Sequence, residues 1–331
     1  MSIFTLEKPN LSVDSQNFID VLESQDSPPI YTLAPESARQ VLIDAQAAAG
    51  ADKPDVAVED IKLPVGPTGS VKVRIMRPKS ANKGHLPTVF YTHGGGWVMG
   101  GKETHDRLIR EICVEAGVAV VFPEYGLAPD VKYPVPLEQC YAVLEHIGRN
   151  AKEMGFDPDG FVVAGDSAGG TMATVMTMLS RERGGPDILF QLLFYPVTDH
   201  DFDTKSYKDF AEGPWLTRKA MRWFWDNYMP EIDRRDERNA SPLRSRDEDL
   251  ENMPPALIIT AENDVLRDEG EEYARRLDDA GVRAACVRVN GAMHDFVMLD
   301  ALATSPSTRA AIALGVAEIK KAFQKTFPES M

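Results

Sequence analysis

A serine, a carboxylate and a histidine occur in this chain in an order and a setting that suit nucleophilic catalysis. The serine is Ser167, in the pentapeptide GDSAG at residues 165–169, which follows an apolar run and opens a helix-like run. In such a strand-to-helix turn, small residues two positions to either side let strand and helix approach, and the strained backbone lifts the hydroxyl toward a substrate. A glycine-rich turn with a capping serine is the alternative. The flanking strand and helix favour a nucleophile.

A serine hydroxyl is a weak nucleophile at neutral pH, so Ser167 needs a base and an acid that orients the base. Where this turn occurs, the acid follows the serine and the histidine comes last, each on a loop after a later strand. Asp264 and His294 satisfy that order. Glu262 lies too close to the end of its strand, and Asp268 starts the next helix. We therefore predict Asp264 as the acid and His294 as the base.

A second chemical signal is the pentapeptide HGGGW at residues 93–97, directly after an apolar run. Consecutive glycines allow backbone N–H groups to point into a cavity with no side chain in the way, as a tetrahedral oxyanion requires. We predict that the N–H groups of Gly95, Gly96 and Ala168 form an oxyanion hole. The alternative is a flexible glycine hinge without a ligand. His93 is expected to shape the loop through a hydrogen bond to the backbone.

The elements that must position these residues follow an alternating pattern from residue 71 onward. Short apolar runs alternate with longer amphipathic segments, which is typical of parallel strands joined by helices. The predicted strands are Val71–Met76, Thr88–Thr92, Val118–Pro123, Gly160–Ala164, Phe190–Tyr195, Ala256–Thr260 and Ala284–Val289. The pattern predicts an α/β fold whose pocket lies at the carboxyl ends of the strands.

Two segments break this alternation. Residues Pro35–Ala49 place apolar residues on one helical face behind a proline in the first turn, so they predict a helix before any strand. Residues 199–250 are rich in aromatic residues and are far longer than a crossover requires. We predict that both segments contribute to a helical cap over the pocket.

The predicted domain organisation follows from these two segments. Residues 1–56 and 199–250 are assigned to the cap, and residues 57–198 and 251–331 to the α/β core. Candidate pocket-lining residues are Trp97, Phe202, Phe210 and Trp215. The alternative, that the aromatic residues pack a peripheral core, stays open.

Composition excludes several functional classes. A net charge of −15 disfavours nucleic-acid partners and anionic membrane surfaces. The first twenty residues show no secretory signal pattern and no long apolar span occurs, so we expect a cytoplasmic protein without a membrane partner. Three widely spaced cysteines predict no disulfide framework, and the six histidines form no recognisable metal-binding motif. No metal cofactor is implied.

With these motifs the chain resembles the hormone-sensitive-lipase family of α/β-hydrolases, which includes the bacterial group IV esterases. The resemblance runs from about Val58 to Asp300 and includes Tyr125–Asp130, Leu216–Thr217, Met221–Trp225 and Arg267–Gly270. It implies an α/β-hydrolase fold with a mostly parallel eight-stranded sheet, flanking helices and a helical cap. The chain departs from the family with Gly126 and Asp130 in place of Arg and Glu, and with Val265 in place of Pro.

The resemblance implies a serine carboxylesterase that hydrolyses small-molecule esters with short to medium acyl chains through an acyl-enzyme, without a cofactor. It also suggests a homodimer formed by edge pairing of the strand Ala284–Val289. Two alternatives remain open on the same scaffold. One is an amidase or arylformamidase that uses the same three residues, and the other is a ligand-binding receptor without catalysis.

Overall fold

An eight-stranded sheet runs through the centre of the protein, whose computed structural model describes residues 9–25, 27–80 and 84–324. The strands are β1 (Val56–Leu63), β2 (Val71–Pro78), β3 (Leu86–Thr92), β4 (Ala119–Glu124), β5 (Phe156–Asp166), β6 (Ile188–Phe194), β7 (Ala256–Asn263) and β8 (Ala284–Met293). Their order across the sheet is β1-β2-β4-β3-β5-β6-β7-β8. Strand β2 pairs antiparallel with both neighbours, and the pairs from β4 across to β8 are parallel. The predicted fold class is confirmed.

All seven strands read from the sequence are present, with ends that differ by a few residues. The eighth strand, β1, was not predicted, because Glu59, Asp60 and Lys62 interrupt its apolar residues. Strand β1 lies at the edge of the sheet, and most of its side chains are exposed. Charged residues on an edge strand hinder pairing with other chains, and they also remove the apolar run that identifies a buried strand.

Ten helices accompany the sheet in the described residues. They are α1 (Val13–Ser24), α2 (Pro35–Ala49), α3 (Lys102–Ala116), α4 (Val135–Arg149), α5 (Ala168–Arg183), α6 (Lys205–Asp209), α7 (Arg218–Tyr228), α8 (Asp247–Leu250), α9 (Arg267–Asp279) and α10 (Pro306–Gln324). Helix α2 has the predicted bounds, and Gly281 after α9 has a left-handed backbone, with φ of 81°. Helix α5 packs against β3, β5 and β6, and residues 168–180 are all buried. The sequence therefore shows little amphipathic pattern in this helix.

The two segments predicted to form a cap contact each other. Phe18 of α1 packs edge-to-face against Trp215, with ring centroids 5.4 Å apart, and α7 contacts the turn at Ile30–Thr32. Arg39 of α2 donates to the backbone oxygens of Val98 and Ala128, each at 2.8 Å. Residues 1–8, 26, 81–83 and 325–331 of the predicted domain ranges lie outside the described residues. Across the described ranges, no helix combines the length and apolar character needed to span a bilayer.

A buried arginine joins α3 to the loop that follows β8. The Arg107 side chain is 0% exposed, and its Nε donates to Asp300 at 2.7 Å while Nη1 donates to Glu111 at 2.8 Å. Its Nη2 donates to the carbonyl oxygens of Val297 and Met298 at 2.7 and 2.9 Å. A buried charge is tolerated because these acceptors replace water around the guanidinium.

We predict that Arg107→Met lowers the free energy of unfolding by about 3–5 kcal/mol, because it leaves the buried carboxylate of Asp300 without its cationic partner and Glu111 with Arg309 alone. Arg149→Met is the matched control, since that side chain is 73% exposed and pairs with Glu145 one helical turn away. Its loss should cost about 0.3–0.5 kcal/mol. Chemical denaturation of both variants measures the difference, and equal costs would contradict the assigned role of Arg107.

Candidate active site

Four residues singled out in the sequence come directly after strands that lie close together in the sheet. Strands β3, β5, β7 and β8 end at residues 92, 166, 263 and 293. The next residues in the chain are His93, Ser167, Asp264 and His294. Because the carboxyl ends of parallel strands meet at one edge of a sheet, the four residues share that edge.

The turn around Ser167 depends on close packing of the backbone. Ser167 has φ of 52° and ψ of −124°, a conformation that side-chain-bearing residues seldom adopt. A Cβ atom on Gly165 would lie 2.3 Å from the carbonyl oxygen of Gly169, and one on Gly169 would lie 2.1 Å from that of Thr92. Both distances are far below van der Waals contact, so glycine is required on either side of the serine.

The three residues predicted as a catalytic triad are brought together. His294 Nε2 lies 3.0 Å from Ser167 Oγ, and His294 Nδ1 lies 2.7 Å from Asp264 Oδ2. The other oxygen of Asp264 accepts from the N–H of Leu266 at 3.0 Å. All three side chains are buried. Nδ1 of the imidazole donates to the carboxylate, which leaves Nε2 free to accept from the serine hydroxyl.

The imidazole of His294 is surrounded by negative charge. Burial by itself lowers its pKa, but the carboxylates of Asp264 and Asp295 have the larger, opposite effect and raise the pKa to about 9. Asp295 was not predicted from the sequence. Its Oδ1 lies 3.4 Å from Nε2 of His294, and its Oδ2 accepts from Nε1 of Trp215 at 2.8 Å. The histidine therefore has a carboxylate near each ring nitrogen.

The glycine loop lies beside Ser167 with left-handed backbone at two positions. Gly95 has φ of 101° and Gly96 has φ of 59°, and a Cβ on Gly96 would lie 2.2 Å from the Phe224 ring. Among the described residues, no acceptor pairs with the N–H groups of Gly95, Gly96 or Ala168. Gly95 and Gly96 line the same cavity as Ser167. This arrangement suits the role predicted for the three N–H groups.

Two residues shape the start of this loop. His93 Nδ1 lies 2.8 Å from the carbonyl oxygen of Gly94, and its ring stacks on Tyr125 at 4.1 Å between centroids. The predicted hydrogen bond of His93 to the backbone is confirmed. Burial chiefly, with the nearby His105, lowers the pKa of His93 to about 3, so it is neutral. It is a structural residue of the loop.

Asp166 links the serine turn to the glycine loop, a role that the sequence did not reveal. It is fully buried, and its Oδ1 accepts from the Tyr91 hydroxyl at 2.8 Å and from the N–H of Gly94 at 3.1 Å. Its Oδ2 lies 3.1 Å from Nε2 of His105. Burial raises the pKa of this carboxyl, but His105 and Tyr91 lower it below its ordinary value. Asp166 is at the position between glycine and serine in the G-x-S-x-G motif, where the motif allows any residue. The motif therefore does not predict these hydrogen bonds.

A cavity of about 780 Å³ opens at Ser167 and His294. Its walls come from α1, α2, the glycine loop and the segment 212–224. Most of the lining side chains are apolar, and among the lining residues that the structure describes there is no lysine or arginine. A largely apolar cavity with few convergent polar groups is typical of a small-molecule site.

Of the four aromatic residues predicted to line the pocket, Trp215 does so. The other three are absent from the lining of this cavity. Trp97 is fully buried and stacks on Tyr228 at 4.3 Å between centroids. Phe202 packs edge-to-face on Tyr207, and Phe210 lies beneath the guanidinium of Arg267. The contacts of these three residues agree with the alternative given above, that the aromatic residues pack a peripheral core.

The rejected candidates for the acid have other partners. Glu262 accepts from the N–H of Gly291 at 2.6 Å, and Asp268 accepts from the N–H of Ser206 at 2.7 Å. In the part of the chain that the structure covers, no group of three or more His, Cys, Asp or Glu side chains is arranged to hold a metal ion.

Comparison with known proteins finds relatives that match most of this chain. A family model described as alpha/beta hydrolase fold matches residues 89–298. Carboxylesterase NlhH of Mycobacterium tuberculosis is 37% identical over 81% of this chain and 84% of its own length. A thermostable esterase from Pseudomonas putida superposes with a TM-score of 0.93 at 41% identity, over 96% of this chain and 98% of its own. A fungal esterase from Rhizomucor miehei superposes with a TM-score of 0.91 at 37% identity, over 97% of this chain and 99% of its own.

The packing around the serine turn predicts an uneven effect of added methyl groups. Gly169→Ala should lower the free energy of unfolding by about 3 kcal/mol or more, because its Cβ would overlap backbone atoms of Thr92 and His93. Gly84→Ala is the control, since a Cβ there meets no atom of the described residues within 4 Å. It should change stability by less than about 0.5 kcal/mol. Chemical denaturation tests both, and a tolerated Gly169→Ala would refute the packing argument.

Proposed function

This chain belongs to the hormone-sensitive-lipase-like family of α/β-hydrolases, and we propose that it is a serine carboxylesterase acting on small-molecule esters. The observation that carries the proposal is the hydrogen-bonded series from Asp264 through His294 to Ser167, which ends in an apolar cavity. Beside it lie glycine N–H groups that have no acceptor among the described residues. The similar proteins named above are esterases or carboxylesterases.

In the first half of the reaction, Ser167 Oγ attacks the carbonyl carbon of the ester while Nε2 of His294 takes the serine proton. Asp264 holds the imidazole in the required tautomer and stabilises the imidazolium that forms. The carbonyl oxygen becomes an oxyanion, which the N–H groups of Gly95, Gly96 and Ala168 would bind. When the tetrahedral intermediate collapses, Nε2 gives its proton to the departing alcohol and the acyl group stays on Ser167.

In the second half, water takes the place of the alcohol. His294 Nε2 removes a proton from the water as the oxygen attacks the acyl carbon, and a second oxyanion forms at the same N–H groups. Collapse breaks the bond to Ser167 Oγ, which recovers its proton from the imidazolium. The products are a carboxylic acid and an alcohol, and no cofactor takes part.

The predicted substrates are esters with short to medium acyl chains, and the volume and apolar walls of the cavity support that size. An amidase or arylformamidase would use the same residues, but the named relatives favour esters. A receptor would have no need of the assembled base and acid. The cytoplasmic location, the homodimer paired through β8 and the domain ranges stay predictions from the sequence.

The decisive variant is Ser167→Ala. It should lower the turnover of an activated aryl ester by on the order of 10⁶-fold, because the proposed acyl-enzyme forms on the Ser167 hydroxyl. Ser245→Ala is the control, since it also removes a buried serine hydroxyl but lies outside the lining of the cavity. It should keep the activity of the unmodified protein. An active Ser167→Ala protein, freed of contaminating esterase, would refute the proposal.

The charge around His294 predicts an alkaline profile. Nε2 accepts a proton as a neutral imidazole, so activity should rise as pH increases through the histidine pKa of about 9. We expect kcat/KM for an aryl ester to increase about tenfold per pH unit through the neutral range and to level off near pH 9. Initial rates across a pH series, corrected with Ser167→Ala for background hydrolysis, measure it. A plateau that begins below pH 6.5 would contradict this electrostatic account.

A further inference from the structure

Asp295 is a buried carboxylate that the mechanism above does not use. It directly follows His294, is 9% exposed, and has a left-handed backbone with φ of 64°. Asp tolerates this conformation better than most residues but still at some cost. A carboxylate that is both buried and held in an unfavourable backbone conformation is expensive, so its partners need an explanation.

The two oxygens of Asp295 have different surroundings. Oδ2 accepts from the indole N–H of Trp215 at 2.8 Å. Oδ1 has no solvent exposure and no hydrogen-bond partner among the described residues, and it lies 3.4 Å from Nε2 of His294. A buried, unpaired acceptor costs free energy unless a donor or a positive charge faces it. When His294 is protonated, its imidazolium is that charge.

We propose that Asp295 is a positioning residue that stabilises the protonated form of His294 from the Nε2 side, while Trp215 holds its carboxylate in place. Asp264 fixes the tautomer through Nδ1 and remains the orienting acid of the triad. Asp295 acts on the nitrogen that exchanges the proton with Ser167. The inference deepens the proposed function and rests on it.

Other charged or titratable groups also face this histidine and cannot replace Asp295. Asp264 follows β7 and contacts Nδ1, and Asp166, at the end of β5, acts on the imidazole at longer range. The ring of Tyr195 packs edge-to-face on His294 at 4.8 Å, and His105 of α3 acts on Asp295. Burial raises the pKa of Asp295, while His294 and the Trp215 N–H counteract part of that rise.

A second carboxylate has opposite effects on the two requirements of general-base catalysis. It makes His294 a stronger base, so transfer of the proton from Ser167 to Nε2 is easier. It also keeps the resting imidazole protonated up to a higher pH, so that less of the enzyme is active at neutral pH. Little water screens a charge at this depth, which makes both effects large.

The test compares pH profiles of kcat/KM for an activated aryl ester in three variants. Asp295→Asn keeps an oxygen that can accept from Trp215 but removes the charge. Asp295→Gly removes the side chain and suits the left-handed backbone. Asp55→Asn is the control, because that carboxylate is 76% exposed, pairs with Lys79 and does not line the cavity. It also removes one negative charge from the protein.

We expect the acid limb of the profile to move down by about one pH unit or more in both Asp295 variants. The alkaline plateau should fall by a smaller factor, about 3-fold for a shift of one pH unit, because the base is weaker. The curves should therefore cross, with the variants faster than the unmodified enzyme at low pH. Asp55→Asn should retain the original profile.

A folded Asp295→Asn or Asp295→Gly protein whose acid limb stays in place would overturn the inference. Failure of both variants to fold would also overturn it, because the side chain would then serve the fold rather than the ionisation of His294. Failure of the proposed function gives a different result. The unmodified protein and Ser167→Ala would then hydrolyse the ester equally slowly, and there would be no enzymatic profile to compare.

Discussion

The site depends on one close approach of backbone to backbone. A Cβ atom on Gly169 would lie 2.1 Å from the carbonyl oxygen at the end of β3, so the first turn of α5 can lie against that strand only with glycine at position 169. This contact places Ser167 beside the glycine loop that follows β3. The parallel register of β5 to β8 then brings the loops carrying Asp264 and His294 to the same edge. The triad geometry is thus a consequence of how closely strand and helix pack.

Electrostatics then determine what the assembled residues can do. Asp166, Asp264 and Asp295 are all buried near one imidazole, and burying a carboxylate is costly unless donors or positive charge compensate. Asp166 is compensated by Tyr91, by a backbone N–H and by His105. Asp264 and Asp295 face the two nitrogens of His294. The site therefore favours the imidazolium, which is the state that follows proton transfer from the serine.

The sequence predicted the parts of the structure that local pattern determines. Seven strands, helix α2 and the positions of the triad follow from apolar runs, a helical period and loop order. Edge strand β1 was missed because an exposed strand lacks an apolar run. Trp97 shows the other limit, since an aromatic residue beside the glycine loop can pack inward on Tyr228 rather than line the cavity. The role proposed for Asp295 depends on distances to Trp215 and His294, which composition and spacing do not encode.

At the departure from the family at Gly126 and Asp130, the Asp130 carboxylate pairs with a distant part of the chain. The resemblance expects an arginine at position 126, and in this chain Asp130 instead pairs with Arg39 of α2 at 2.9 Å. The pair is partly exposed and so contributes little stability by itself. The same guanidinium also donates to the carbonyl oxygens of Val98 and Ala128, which fixes α2 against loops of the core. Because α2 also lines the cavity, these bonds couple the position of one cavity wall to the loop that starts at the candidate oxyanion hole.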